Sequence, residues 1–349
     1  MSELVALGWD DRWRTAFESY RRDGLTPGRV AVQHRGAYDV LTEGGEVRAR
    51  VSGRLRHESP SPADLPVVGD WVAVDSGASE APSIEAVLPR RTRFSRRAAQ
   101  NADSGGAREQ VVSANVDLVF VTTALGGAVD VRLLERYLTL AWESGARPVI
   151  LLTKADLEPE PDVVVADVAA VGDEVPVVAV SARTNVGLDA IRAQLGPGVT
   201  GALLGPSGAG KSTLVNVLAG DELLATGPMR EGGGGRHTTT RRQLVLLPEG
   251  GLLVDNPGMR EVHLWLAETG LEDAFPDIAE LETECRFSDC SHATEPGCAV
   301  QEALADGRLQ RERWQSFQAL RRELAELEER LARRGRSRAR RKRPGAGAS

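Results

Sequence analysis

At 349 residues the chain has room for two or three domains and for a core that needs no covalent staples. Hydrophobic residues make up 41% and charged residues 27%, as in soluble globular proteins. No apolar run reaches the roughly 18 residues that span a bilayer, and Met1 to Trp13 has no signal-peptide pattern. No membrane association and a cytoplasmic location are therefore expected. The net charge of −7 is unevenly spread: eight Arg/Lys and no acid lie between Arg333 and Arg343. The basic tail, residues 333–349, reads either as a polyanion-binding end or as a disordered, solubilising one.

In chain order, residues 1–27 read as a weakly structured leader with at most a short helix. From Gly28 to Phe94 short alternating segments such as Arg29-Val30-Ala31-Val32, Val47-Arg48-Ala49-Arg50-Val51 and Trp71-Val72-Ala73-Val74 are separated by turn residues. A five-stranded barrel of the OB type fits that size and spacing, and an SH3-like barrel shares the pattern. Residues 95–113 are polar and read as a linker. Residues 114–266 alternate apolar strands with helical stretches, which predicts a parallel α/β sheet covered on both faces. From 267 to 332 the chain turns helical and carries all three cysteines. Its last helix has Trp314, Phe317, Leu320, Leu324, Leu327 and Leu331 at three- and four-residue spacing, a packing stripe.

The first chemical motif along the α/β region is Thr153-Lys154-Ala155-Asp156, just past the apolar strand Val149–Leu152. A carboxylate at Asp156 can accept both N1–H and N2–H₂ of guanine, a pair adenine does not present. The Lys154 stem can lie along the base. Ser181-Ala182 follows the next strand and can bring a backbone N–H to guanine O6.

About fifty residues later, Gly205-Pro206-Ser207-Gly208-Ala209-Gly210-Lys211-Ser212-Thr213 follows one predicted strand and opens a helix, the context a phosphate loop requires. Its glycines free backbone N–H groups for phosphate, and the helix N-terminus adds positive potential. Lys211 is placed to reach the β- and γ-phosphates, and the Ser212 hydroxyl to ligate magnesium. Asp255, ending the strand Leu252-Leu253-Val254, is a candidate at the magnesium through water, and Gly258 for a backbone N–H to the γ-phosphate. Between them, Gly232–Gly235 followed by Arg236-His237-Thr238-Thr239-Thr240 reads as a switch loop. Thr239, with Thr238 as the alternative, is the candidate to complete the magnesium shell.

Base-reading motif before phosphate loop is the reverse of the ordinary GTPase order, as in a circular permutant. A kinase or ATPase is disfavoured by Asp156 and by that order. Farther on, Cys285-x4-Cys290-x-His292-x5-Cys298 offers three sulfurs and one imidazole. That set fills a tetrahedral zinc shell with no open position, as in structural sites. An odd cysteine count and the expected compartment argue against disulfides.

Together with Val68-Gly69-Asp70-Trp71-Val72 and Gly235-Arg236-His237-Thr238-Thr239, these motifs resemble the ribosome small-subunit-dependent GTPases (RsgA, also called YjeQ or EngC) from about residue 28 to 330. The resemblance implies a multidomain fold: an N-terminal OB-fold RNA-binding barrel (28–94), a central P-loop GTPase domain with permuted motif order (114–266) and a C-terminal helical zinc-binding domain (267–332). It implies GTP/GDP, Mg²⁺ and one structural Zn²⁺ as cofactors. The small ribosomal subunit and its rRNA are the implied partners of a monomeric protein, and the implied activity is subunit-stimulated GTP hydrolysis in late subunit maturation. The other reading is an RNA-binding assembly chaperone that uses nucleotide only as a release switch.

Ras-like enzymes place a water-orienting Gln after Asp-x-x-Gly. Here that position is Met259, so intrinsic hydrolysis is expected to be slow. By resemblance, His237 is the catalytic candidate, alongside Lys211 and Thr239. Two positions depart from the common pattern: Thr153 stands for Asn, which normally braces neighbouring loops, and Asn256 for Thr. The first predicts weaker nucleotide binding.

Overall fold

The computed structural model describes residues 3–77, 81–97, 109–170, 175–220, 243–255, 271, 274–287, 289–311, 313–322 and 325. The chain opens on two helices, α1 (Glu3–Ala6) and α2 (Asp11–Arg22). Asp10 caps α2 by accepting the Trp13 N–H at 3.1 Å. The expectation of a weakly structured leader is corrected: α2 buries Trp13 and Phe17, and Trp9 meets Trp71 of the barrel edge-on at 4.7 Å. A row of large aromatic side chains on one helix face supplies the apolar area that a short polar-looking segment otherwise lacks.

The barrel comprises β1 (Thr26–Gln33), β2 (Tyr38–Thr42), β3 (Gly45–Val51), β4 (Trp71–Asp75) and β5 (Ser83–Val87), with the short helix α3 (Gly53–Glu58) between β3 and β4. They are ordered β1-β2-β3-β5-β4, and β4 closes on β1. Alternate residues Val30, Tyr38, Val40, Ala49, Val72, Val74 and Ile84 fill it. That closed five-strand order is the OB arrangement rather than the SH3-like alternative.

The expected linker is likewise corrected. Its described parts are β6 (Arg93–Arg97) and β7 (Glu109–Ala114), which pair antiparallel as a separate two-stranded sheet.

The second body contains β8 (Leu118–Ala124), α4 (Val131–Glu143), β9 (Arg147–Thr153), α5 (Pro161–Ala169), β10 (Val177–Ala179), α6 (Leu188–Gln194), β11 (Thr200–Leu204), α7 (Lys211–Ala219), β12 (Gln243–Leu246) and β13 (Leu252–Asp255). Strand order is β10-β9-β8-β11-β13-β12. The first five run parallel. β12 is antiparallel to β13, so the sheet is mixed rather than wholly parallel. Both faces are covered, as the near-continuous apolar strands require. Val119, Val121, Ile150, Leu152, Ala202 and Leu204 enter one core, and Leu118, Phe120, Val149, Leu151 and Leu203 the other. β12 also bridges to β1 at Val32↔Gln243, which makes barrel and α/β body one continuous sheet.

Arg29 joins the leader, the barrel and the start of the α/β body. Its guanidinium is 2% exposed and donates to the carbonyls of Leu7, Gly69 (3.3 Å) and Asn115 (3.0 Å), with Trp71 beneath it at 5.5 Å. Burial is the main cause that lowers its pKa to about 10, and it remains a cation at neutral pH. Asn115, in the left-handed region at φ 55°, donates from Nδ2 to the same Gly69 carbonyl and accepts the Arg91 N–H on Oδ1. Gly69 itself has φ 91°, and a Cβ there would collide with the Ala114 carbonyl.

Helices Pro276–Thr283 and Ala299–Asp306 and a helical segment at 313–322 form the last body. Trp314, Phe317 and Leu320 of the packing stripe are buried; Leu324, Leu327 and Leu331 lie outside the described residues, as does the basic tail. Arg313 fixes this body to α4, bonding Asp277 at 2.7 and 2.6 Å and the buried Glu135 at 3.3 Å. Among the described residues no helix is long and apolar enough to cross a membrane.

Arg29→Met would take the guanidinium donor from the Leu7 and Asn115 carbonyls, while Gly69 keeps the Asn115 amide, at a cost on the order of 2 kcal/mol. The expected outcome is a lower thermal midpoint, with proteolysis of the leader as the first cleavage on warming. A midpoint and cleavage pattern equal to the parent's would contradict the joining role.

Candidate active site and metal centre

β11 is buried along its length and delivers the chain at Leu204 into the loop Gly205–Gly210. Gly205, Gly208 and Gly210 have φ of 150°, 83° and 79°, so the loop turns through conformations that side chains resist. A Cβ on Gly205 would collide with Thr122 of β8, whose hydroxyl donates to the Leu204 carbonyl at 3.0 Å. Gly210 precedes α7 without any side-chain cap. The first backbone N–H groups of α7 therefore have no side-chain acceptor from Gly210, as an anion site requires. Lys211 Nζ donates to the carbonyls of Gly205 (2.7 Å) and Pro206 (2.6 Å), which lays its ammonium across the loop. Ser212 and Thr213 follow in the first turn of α7.

The base-reading segment comes from β9, separated from β11 only by β8. A cleft of about 380 Å³ is lined by Thr153, Lys154, Asp156, Ala182, Gly210 and Thr213, with Leu157, Val180, Arg183 and Leu214 completing the wall. The two motifs, about fifty residues apart, thus open on one space. Lys154 sits at φ 57°, a left-handed geometry that costs a lysine of order 1–3 kcal/mol and is typical of functional segments. The Ser181 hydroxyl donates to Asp156 Oδ1 at 2.6 Å. That bond, and then the nearby Arg183 and Lys154 charges, hold the Asp156 carboxyl below its ordinary pKa. It is an ionised acceptor at neutral pH.

Thr153 is buried, with Oγ1 at 2.7 Å from the Ala209 carbonyl and 3.1 Å from the Thr123 carbonyl. Its one proton serves one carbonyl at a time. The hydroxyl thus ties the base-reading strand to the phosphate loop. Asp255 ends β13 opposite Gln243. His237, Thr238, Thr239, Asn256, Gly258 and Met259 lie outside the described residues.

In the last body, one ligand atom each from Cys285, Cys290, His292 and Cys298 falls within 4.8 Å of the others. His292 Nδ1 is 3.5 Å from both Cys285 Sγ and Cys298 Sγ. The Cys290 thiol is pushed up to about 11, first by desolvation and then by the sulfurs of Cys298 and Cys285. Three sulfurs and one imidazole crowded this closely, with no open position, are a donor set that fits zinc.

A model of the RsgA GTPase family matches residues 87–265. A protein of Opitutus terrae named small ribosomal subunit biogenesis GTPase RsgA is 45% identical, with 92% of this chain and 90% of that protein covered. A Streptomyces coelicolor protein of the same name is 43% identical, with 92% and 87% covered. The chain belongs to the RsgA GTPase family. The crystal structure of YjeQ from Thermotoga maritima superposes at a TM-score of 0.66 with 26% identity, over 87% of this chain and 98% of that one. YloQ, titled a circularly permuted GTPase, shares the fold at a TM-score of 0.63 and 23% identity, over 88% and 96%.

Sequence reasoning passed over three residues at the candidate site. Thr122 and Thr123 support both loops from β8, and Arg183 lines the cleft. Arg183 directly follows Ser181-Ala182, so its position could have flagged it; the two threonines end an ordinary apolar strand and gave no signal.

Thr153→Val keeps the shape and deletes the brace. The expected outcome is GTP and GDP affinity each lowered roughly tenfold, from a loss of about 1–2 kcal/mol, with Thr153→Asn close to the parent. Fluorescent-nucleotide titration checks this, and unchanged affinity in Thr153→Val would exclude a brace at this position.

Proposed function

We propose that this chain binds the small ribosomal subunit and hydrolyses GTP to GDP and phosphate during late subunit maturation, with hydrolysis stimulated by the subunit. The observation that carries the proposal is the single cleft shared by the Asp156 segment and the first turn of α7. Family membership supplies the reaction class, and the names of the relatives supply the ribosomal step.

In this reading Asp156 accepts the two guanine N–H groups, Ala182 offers a backbone N–H to O6, and Lys154 flanks the base. Gly205, Gly208, Ala209 and Gly210 cradle phosphate with backbone N–H groups. Lys211 leaves its loop carbonyls for the β/γ-phosphates, an exchange of neutral for charge-assisted acceptors. Ser212 and Thr239, or Thr238 in its place, would hold magnesium, with Asp255 reaching it through water; the ion neutralises phosphate charge. Gly258 donates to the γ-phosphate. His237 orients the attacking water when the subunit orders its glycine-rich segment, a task Met259 cannot perform. Cys285, Cys290, His292 and Cys298 would hold one structural zinc. The barrel and the last body contact rRNA of the small subunit, and the protein acts as a cytoplasmic monomer.

Steady-state GTP turnover with and without purified small subunits tests the proposal. Strong stimulation is expected, and turnover should collapse in Lys211→Ala. In single-turnover assays at saturating subunits, His237→Ala should lose stimulation while still binding GTP. An unstimulated parent that nevertheless binds subunits in a nucleotide-dependent way would identify a release switch with little catalysis instead.

A further inference from the structure

The two ring nitrogens of His292 face different chemistry. Nδ1 faces the sulfurs of Cys285 and Cys298, whereas Nε2 lies 3.0 Å from Glu282 Oε1. The ring is almost fully buried and stands edge-on to Trp314 at 5.8 Å. The backbone at His292 is held too: φ is 56°, and its carbonyl accepts from Gln301 Nε2 at 2.6 Å. Glu282 Oε1 also accepts from Arg321 Nη1 at 2.8 Å. Three segments therefore meet at one carboxylate: the Pro276–Thr283 helix, the cysteine-bearing turns and the helical segment 313–322.

We infer that Glu282 is the positioning residue of the metal centre, selecting the His292 tautomer that ligates through Nδ1. The inference rests on the three-cysteine, one-histidine zinc reading above. A neutral imidazole carries one N–H. A carboxylate at Nε2 takes that proton as a hydrogen bond, which leaves the Nδ1 lone pair directed at the cluster and makes it a better donor. Arg321 donates to the same carboxylate oxygen and keeps it turned toward the ring. Were Glu282 only a member of a half-exposed ion pair with Arg321, removing it would leave metal retention untouched.

The experiment uses the full-length chain and its Glu282→Ala, Glu282→Gln and Arg321→Leu variants. Zinc per chain is measured by elemental analysis, and zinc loss to excess chelator is followed by a colorimetric indicator. The parent should hold one zinc. Glu282→Ala should weaken zinc affinity roughly 10- to 100-fold, read as faster loss. Glu282→Gln, whose amide oxygen still accepts the N–H but carries no charge, should fall between, and Arg321→Leu should show the smallest change. Added zinc should return the Glu282→Ala thermal midpoint toward the parent's, which separates a weakened centre from a misfolded domain. If Glu282→Ala does not fold, the near-isosteric Glu282→Gln decides, and parental retention in it overturns the inference. A zinc-loaded parent matched by Glu282→Ala overturns this inference alone. A parent without zinc overturns the zinc reading and this inference with it.

Discussion

The parallel register of β10, β9, β8, β11 and β13 is the constraint on which the candidate active site depends. Parallel strands all end at one edge of the sheet, where crossover folds bind their ligands. Thr153–Asp156, Ser181-Ala182, Gly205–Lys211 and Asp255 all follow or end such strands. The order in which the chain visits them does not matter to the geometry. A circular permutation that keeps each strand's direction therefore keeps the site. β8, between β9 and β11, supports both neighbours: Thr122 bonds the strand feeding the phosphate loop, and the Thr123 carbonyl is within reach of Thr153.

Around that edge, the buried Arg29 and the largely buried Arg313 set how the other bodies are held. Arg29 satisfies carbonyls from the leader, the barrel and residue 115, and Arg313 spans Asp277 and Glu135. Both are largely or wholly removed from water, unlike the exposed Arg14–Asp11 pair, whose contribution is at most about 1 kcal/mol. Burial raises the pKa of Glu135, and Arg313 opposes that shift, so losing the arginine would strand a desolvated carboxyl.

Much of this was legible in the sequence, for reasons that differ by element. The strands of the α/β body announce themselves as uninterrupted apolar runs, and the phosphate loop and cysteine cluster as fixed spacings of residue types with narrow chemistry. The leader was misread because its burial depends on Trp9, Trp13 and Phe17 meeting Trp71, a partner some sixty residues away in sequence. β6 and β7 were missed because a long polar connection separates them and their own residues are largely polar. The antiparallel direction of β12 leaves no mark on an apolar run. Thr153 shows the limit most clearly: the sequence marks a departure from a motif, and only the structure shows the hydroxyl 2.7 Å from the Ala209 carbonyl.

In the proposed function the permuted segments form one site that reads guanine through Asp156. Guanine presents two donors there, whereas xanthine presents one donor and one carbonyl acceptor, which matches an amide better than a carboxylate. Steady-state turnover of GTP, XTP and ATP by the parent and by Asp156→Asn, with small subunits present, tests it most directly. The account predicts that the parent hydrolyses GTP and that the variant loses GTP turnover and gains XTP turnover, with ATP poor for both. Unchanged GTP turnover in Asp156→Asn, or parental ATP turnover equal to that of GTP, would contradict it.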